Sequence, residues 1–196
     1  MKVAFVLGNG TSRSFITIPE LKDLGTVYAC NAVFRNDSPD HLIAVDARMV
    51  LEITRSGYHL NNKVWTNKKK STSSFSDVSF VDEPNGWSSG PTALWLAAAH
   101  SYDKIYILGF DYSGVDDGTK INNVFAGTPN YKSKNSKATY FGNWLSQTEK
   151  TIKNFPNTQF IRIIQPDNYC PPGLNSFENF NTITVSDFFK HTEFHS

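Results

Sequence analysis

The 196-residue chain predicts an α/β fold with a largely parallel sheet flanked by helices, and three observations carry that prediction. Short apolar runs rich in β-branched and aromatic residues recur at Val3–Leu7, Thr26–Cys30, His41–Val45 and Lys104–Leu108. Runs of this kind suit strands buried on both faces of a parallel sheet. Each run stops at a polar or glycine-containing turn, and segments of helical periodicity stand between the third and the fourth. Strand-turn-helix alternation marks an α/β sheet, in which ligands sit outside the carboxyl ends of the strands.

Taken in order, the first run halts at Gly8-Asn9-Gly10-Thr11-Ser12, the second at Asn31 and the third at Asp46. Ala47–Arg55 carries Met49, Val50 and Ile53 at helical spacing. Pro91–Ala99 starts with proline after Ser88-Ser89-Gly90 and continues rich in alanine and leucine, which predicts a second helix. The fourth run closes at Gly109-Phe110-Asp111-Tyr112. From Asp111 to Thr139 the chain turns to Gly, Asn, Ser, Lys and Thr, with Tyr112, Phe125 and Tyr131 dispersed among them. Structureless segments this long are uncommon inside a compact domain and commonly serve as lids or binding loops, so a lid-like loop is expected here.

Phe141–Lys153 predicts a helix with Trp144, Leu145, Thr148 and Ile152 on one side; Gln159–Ile164 reads as another strand and Pro166–Pro172 as a turn. The tail ends in a short aromatic helix, Ser186–Lys190, whose Phe188 and Phe189 are expected to dock on the body. No internal repeat or linker marks a boundary. Residues 1–196 are therefore expected to form a single Rossmann-like domain, with 111–139 as a lid within it.

Composition excludes several functions. Nineteen Lys and Arg nearly balance 18 Asp and Glu, a net charge of +1, so no global field draws the chain to nucleic acid. Lys68-Lys69-Lys70, continuing into Ser71–Ser76, reads as a solvated loop. Cys30 and Cys170 lack metal-ligand spacing, so free thiols and no metal site are expected. The first apolar run is too short for a signal segment, and no run approaches the length of a membrane span, which predicts a cytoplasmic protein without a transmembrane segment. Homo-oligomerisation is left open.

The turns carry the chemistry. Gly8 and Gly10 let the backbone approach a ligand, and Asn9, Thr11 and Ser12 bring amides and hydroxyls toward a phosphate. The loop is not a complete dinucleotide fingerprint, because position 13 is Arg, and it lacks the lysine of a P-loop. An ordinary tight turn is the bland alternative. Asn31 has an amide able both to donate to and accept from a base or ribose, although Asn is also a common turn former. Asp46 either meets a ribose hydroxyl or caps the helix after it. Ser88, Ser89 and Gly90 precede a helix whose positive end attracts anions, unless Ser89 merely caps it. Asp111 and Tyr112 face the same crevice if the strands are correctly placed. His41, His59, His100, His191 and His195 are scattered over a strand, a loop, a helix end and the tail, and none stands out as a catalytic base.

At these turns the sequence resembles a family. Val6-Leu7-Gly8-Asn9-Gly10-Thr11-Ser12, Ala29-Cys30-Asn31, Ser88-Ser89-Gly90 and Lys104-Ile105-Tyr106-Ile107-Leu108-Gly109-Phe110-Asp111 look like the bacterial sialyltransferases that use CMP-activated sugars. The resemblance spans residues 2–165 and extends to wider relatives, including motility-associated glycosyltransferases and a pterin pyrophosphokinase group. It implies that Asn9, Gly10, Asn31, Ser89 and Gly90 embrace a nucleotide or nucleotide sugar, that no separate cofactor is required, and that the sugar passes to an acceptor hydroxyl. By the same resemblance the reaction inverts the anomeric centre, tyrosine hydroxyls stabilise the departing phosphate, and a histidine in a Tyr-x-Gly-His setting serves as base.

This chain departs from that pattern. It reads Tyr140-Phe141-Gly142-Asn143, and Asn143 cannot take a proton at neutral pH. Tyr112 lies one place before the expected phosphate-stabilising tyrosine, where Ser113 stands. Tyr112 and Asn143 are thus the catalytic-position candidates, with Asp116, Asp117 or a tail histidine as substitutes for the base. Two other functions compete: a nucleotide-sequestering module without turnover, and a phosphate-transfer enzyme in which Asp46 and Asp111 would hold Mg²⁺.

Overall fold

The computed structural model describes residues 1–192; His195 lies outside them. Eight strands form one sheet: β1 (Val3–Leu7), β2 (Thr26–Cys30), β3 (His41–Ile43), β4 (Val64–Asn67), β5 (Ser79–Val81), β6 (Lys104–Leu108), β7 (Gln159–Ile164) and β8 (Phe180–Thr184). Five helices accompany them: α1 (Ile18–Lys22), α2 (Ala47–Arg55), α3 (Ser89–Ala99), α4 (Gly142–Asn154) and α5 (Val185–His191). The strand order is β5-β4-β3-β2-β1-β6-β7-β8, and every neighbouring pair is parallel. The chain winds outward from β1 to β5, then returns to lay β6 on the other side of β1. That reversal is a topological switch point, and it opens a crevice between the turns after β1 and β6.

Side chains alternate along each strand and so divide the core into two layers. Phe5 and Leu7 of β1 join Val27, Leu42, Val50, Ile53 and Phe188 on one face, against α2 and α5. Ala4 and Val6 join Ile43, Ile105, Ile107 and Phe160 on the other, against α3 and α4. Helix α3 buries Ala93, Leu94, Leu96, Ala97 and Ala98, so apolar residues surround it nearly all the way round. Phe188 docks as expected, in edge-on contact with Phe5, Phe15 and Tyr106.

The fold class agrees with the sequence reading, and the differences are local. Three strands and one helix were not read from the sequence: β4, β5, β8 and α1. Strands β5 and β8 lie at the two edges of the sheet, where they are less buried and their sequences are correspondingly polar. Helix α1 is only five residues long, yet Thr17 and Glu20 close a capping box at its start. β3 ends at Ile43 rather than Val45, although the amide of Ala44 still donates to Trp65 O at 3.0 Å. The expected tail helix starts at Val185, because Thr184 caps it by accepting from the amide of Asp187. Both cysteines are free, and among the described residues no helix is long and apolar enough to cross a membrane.

Residues 113–139 contain no helix or strand but are not loosely attached. Lys120 bridges to Val115 and to Lys137. Further along, the Arg35 guanidinium donates to Thr128 Oγ1 and Pro129 O, both at 2.8 Å, while pairing with Glu52 at 2.7 Å. Asn130 Nδ2 donates to the same Glu52, and the Tyr131 hydroxyl accepts from the amide of Ala32.

Candidate functional site

A cleft lies at the switch point, where ligands commonly sit in open α/β sheets. Gly8, Asn9 and Gly10 enter from β1, Cys30 and Asn31 from β2, Ser88–Pro91 from the start of α3, Gly109–Ser113 from β6, Asn122 and Asn123 from the long segment, and Phe141 and Trp144 from the start of α4. Two of these residues have left-handed backbones without being glycine, Asn31 at φ 58° and Tyr112 at φ 52°. Asn tolerates that region; for a bulky tyrosine it is strained, a state that persists where surrounding structure enforces it.

The glycine loop is built to pack on the β6 turn. The amides of Gly8 and Gly10 donate to Leu108 O (2.8 Å) and Gly109 O (2.9 Å), while the amides of Thr11 and Ser12 donate to Asn122 Oδ1 (2.8 Å) and Asp111 Oδ2 (3.2 Å). A Cβ at Gly8 would strike Gly109 O, and one at Gly10 would strike the Asp111 carboxylate. The amides expected to cradle a phosphate are therefore engaged within the protein. Asn9 is the exception in this loop. It is 8% exposed, its Nδ2 donates to Cys30 O at 3.3 Å, and its Oδ1 has no hydrogen-bond partner. A buried acceptor without a donor is costly, so Oδ1 marks a place where a ligand N–H or O–H would be welcome.

Helix α3 supplies the complementary donors. The first amides of a helix have no intrahelical acceptor, and the N-cap Ser88 makes no side-chain capping bond. The first intrahelical bond there is from Thr92 N to Ser88 O, Pro91 has no N–H to offer, and Ser88 N is held by Gln147 Oε1 at 3.1 Å. The amides of Ser89 and Gly90, at the positive end of an 11-residue helix, thus lack an intrahelical acceptor, and both residues line the cleft. Ser89 Oγ accepts from Val45 N at 3.2 Å, which keeps its own hydrogen available.

Titratable groups are few in this wall, and each is tied. Asp111 accepts from Ser12 N, Ser12 Oγ and Asn122 Nδ2. Burial pushes the Cys30 thiol up to about 12, and its Sγ bonds to Leu7 O. Burial also raises the Tyr112 phenol, whose hydroxyl donates to Thr148 Oγ1 at 2.8 Å and so points into α4; its ring lies 5.2 Å from the buried Arg162 guanidinium. No described histidine lines the cleft. His41 stacks on Tyr28 and meets His100 and Trp65 in tilted contacts near the amino ends of the strands, and His191 bonds to Asp187 O.

Of the residues read from the sequence, Gly8, Asn9, Gly10, Asn31, Ser88, Ser89, Gly90, Asp111 and Tyr112 line one cleft. Four others do not. Thr11 and Ser12 are turned to Asn122 and Asp111. Asp46 accepts from Arg48 N at 2.8 Å and is the cap of α2, the blander of its two sequence roles. Asn143 sits exposed in the first turn of α4, away from the lining. Asp116 pairs with Lys120 at 2.7 Å and Asp117 is exposed, and neither reaches the cleft. Among the described residues no three His, Cys, Asp or Glu side chains are grouped to hold a metal ion. The cleft also recruits Cys30, Pro91, Phe110, Ser113, Asn122, Asn123, Phe141 and Trp144, which sequence reasoning did not place there. The pattern of Phe141 and Trp144 suggested a core-facing helix, while the Asn122-Asn123 pair was a visible but unread signal.

No family model matches the chain, and no curated protein matches its sequence. Solved structures do. The chain superposes on the monofunctional alpha-2,3-sialyltransferase Cst-I from Campylobacter jejuni with a TM-score of 0.59 at 12% identity, covering 91% of this chain and 80% of that one. The sialyltransferase CstII from the same organism, in complex with the substrate analogue cytidine-5'-monophosphate, gives 0.54 at 15% identity with 98% of each chain covered. The sialyltransferase CST-II in complex with trisaccharide acceptor and CMP gives 0.53 at 15% identity, with coverage of 98% and 99%. At these identities the likeness is one of architecture: the chain has the α/β fold of these sialyltransferases.

Proposed function

We propose that the cleft binds a nucleotide sugar, a CMP-sugar by likeness to the CMP-bound neighbour, and that the chain transfers the sugar to an acceptor hydroxyl. One observation carries the reading: an unsatisfied buried acceptor, Asn9 Oδ1, and the uncapped amino end of α3 line the same cleft at the sheet's switch point. The phosphate belongs at the Ser89 and Gly90 amides, where the helix end stabilises both the bound donor and the charge that grows as the glycosidic bond breaks. Asn9 and Asn31 then take ribose or base. Residues 111–139 act as a lid through Asn122 and Asn123. The acceptor oxygen attacks the anomeric carbon as the carbon–phosphate-oxygen bond breaks; the nucleotide leaves carrying the bonding electrons, and the acceptor's proton passes to solvent water.

A second reading is favoured by a specific feature of the lining: Asp111 is tied by three hydrogen bonds, and burial raises the Cys30 and Tyr112 pKa so that both stay protonated, leaving no group ready to take the acceptor's proton. That arrangement suits a module that holds a nucleotide without turning it over. Isothermal titration with a panel of nucleoside mono- and diphosphates and their sugars tests the common part of both readings. Binding of CMP or its sugar is expected, and no binding by any member would end both. Continuous, acceptor-dependent release of CMP then selects transfer; tight binding without release selects sequestration.

A further inference from the structure

We infer that Asn122 is a latch that holds the 111–139 segment against the glycine loop before any ligand arrives. Its side-chain amide uses all of its hydrogen-bonding capacity within the protein. Oδ1 accepts from Thr11 N (2.8 Å) and Thr11 Oγ1 (2.9 Å), and Nδ2 donates to Asp111 Oδ2 (3.0 Å) and Ser113 O (3.1 Å). Two residues on, Val124 N donates to Asn9 O at 2.8 Å, so the segment runs along the loop with a backbone contact as well. Neither a shorter nor an isoelectronic side chain reproduces this set. Alanine makes none of the four bonds, and aspartate lacks the two donors and sets a second carboxylate against Asp111.

The latch has a functional meaning for the cleft. Asn122 and its neighbour Asn123 form part of the wall beside Gly8, Asn9 and Gly10. The latch thereby orders the wall in advance, which lowers the ordering cost of binding. Asn122 positions other groups; it is not placed as a participant in bond making.

The latch exists without ligand, so it is tested on the ligand-free full chain by hydrogen exchange of residues 111–139 at pH 7. Both Asn122→Asp and Asn122→Ala are expected to speed exchange of this segment at least tenfold while the amides of β1 and β6 stay protected. A smaller increase in Asn122→Asp, whose side chain has nearly the shape of the original, overturns the inference. Should either variant fail to fold, the wild-type chain decides alone by nuclear magnetic resonance. The Asn122 Nδ2 protons should exchange at least tenfold more slowly than those of exposed Asn135, and equal rates overturn the latch. Titration with CMP is a separate arm: weakening of about tenfold in Asn122→Ala is expected, whereas absence of CMP binding to the wild type would count against the nucleotide reading and leave the exchange result standing.

Discussion

The carboxylate of Asp111 accepts a hydrogen bond from the hydroxyl of Ser12, tying the turn that follows β6 to the turn that follows β1. Asp111 also accepts from the Ser12 amide and from Asn122, so one buried carboxylate joins three pieces of the cleft.

Removing that carboxylate should therefore act on stability first. Asp111→Ala leaves Ser12 N, Ser12 Oγ and Asn122 Nδ2 without their acceptor, and hydrogen bonds to charged groups contribute roughly 1.5–3 kcal/mol each, with strong overlap when they share one partner. A loss of about 2–4 kcal/mol is expected from the urea midpoint at unchanged slope. A loss below 1 kcal/mol would show that the two turns are held by other means.

Asn9→Ala isolates the ligand-facing acceptor. The side chain's one bond within the protein is long, at 3.3 Å, so the fold should lose no more than about 1 kcal/mol. Affinity for CMP should fall about tenfold, equivalent to about 1.4 kcal/mol. Unchanged affinity by isothermal titration would place the ligand elsewhere.

Tyr112→Phe separates a wall from a catalyst. The hydroxyl is directed at Thr148 Oγ1, which in turn donates to Trp144 O, so its removal loosens α4. A destabilisation of about 0.5–1.5 kcal/mol is expected, with CMP affinity within twofold of the wild type. A collapse of turnover at unchanged stability would instead give the phenol a part in the chemistry.

Acid should weaken the fold through His41. Burial first, then the neighbouring His100 and Lys63, lowers its pKa from 6.5 to about 4, with Asp40 opposing, and its Nδ1 accepts from Trp65 Nε1 at 3.0 Å. The folded value is the lower one, so the unfolded chain takes up the proton first. This contribution is complete above pH 6.5 and is lost as pH falls toward 4. Allowing for partial solvent screening, about 1–2 kcal/mol should disappear over that window. His41→Gln should flatten the slope in a plot of unfolding free energy against pH.

The parallel sheet was legible because β1, β2, β3 and β6 are buried on both faces beyond their first residues and are correspondingly apolar there. The edges were not: Ser79-Phe80-Val81 and Phe180-Asn181-Thr182-Ile183-Thr184 pack on fewer neighbours and carry no unbroken apolar run. In the site, strand-end turns could be read because topology sends them all to one rim. Which polar atom is free could not. Whether Thr11 meets a ligand or Asn122, and whether Asp46 meets a ribose or its own helix, depends on contacts up to 111 residues apart, and local sequence is silent on these. The departure at Asn143 was visible in the sequence, but its exposed position on α4 was not.

The return of β6 to the flank of β1 joins residues near position 8 to residues near position 110. Contacts of such long sequence separation are slow to form. During synthesis the first half of the chain carries Asn9, Asn31, Ser89 and Gly90, but the β6 turn that packs beside them is still missing. The cleft is complete only when Gly109 and Asp111 emerge and dock, so its full occupancy reports that both halves of the chain have folded together.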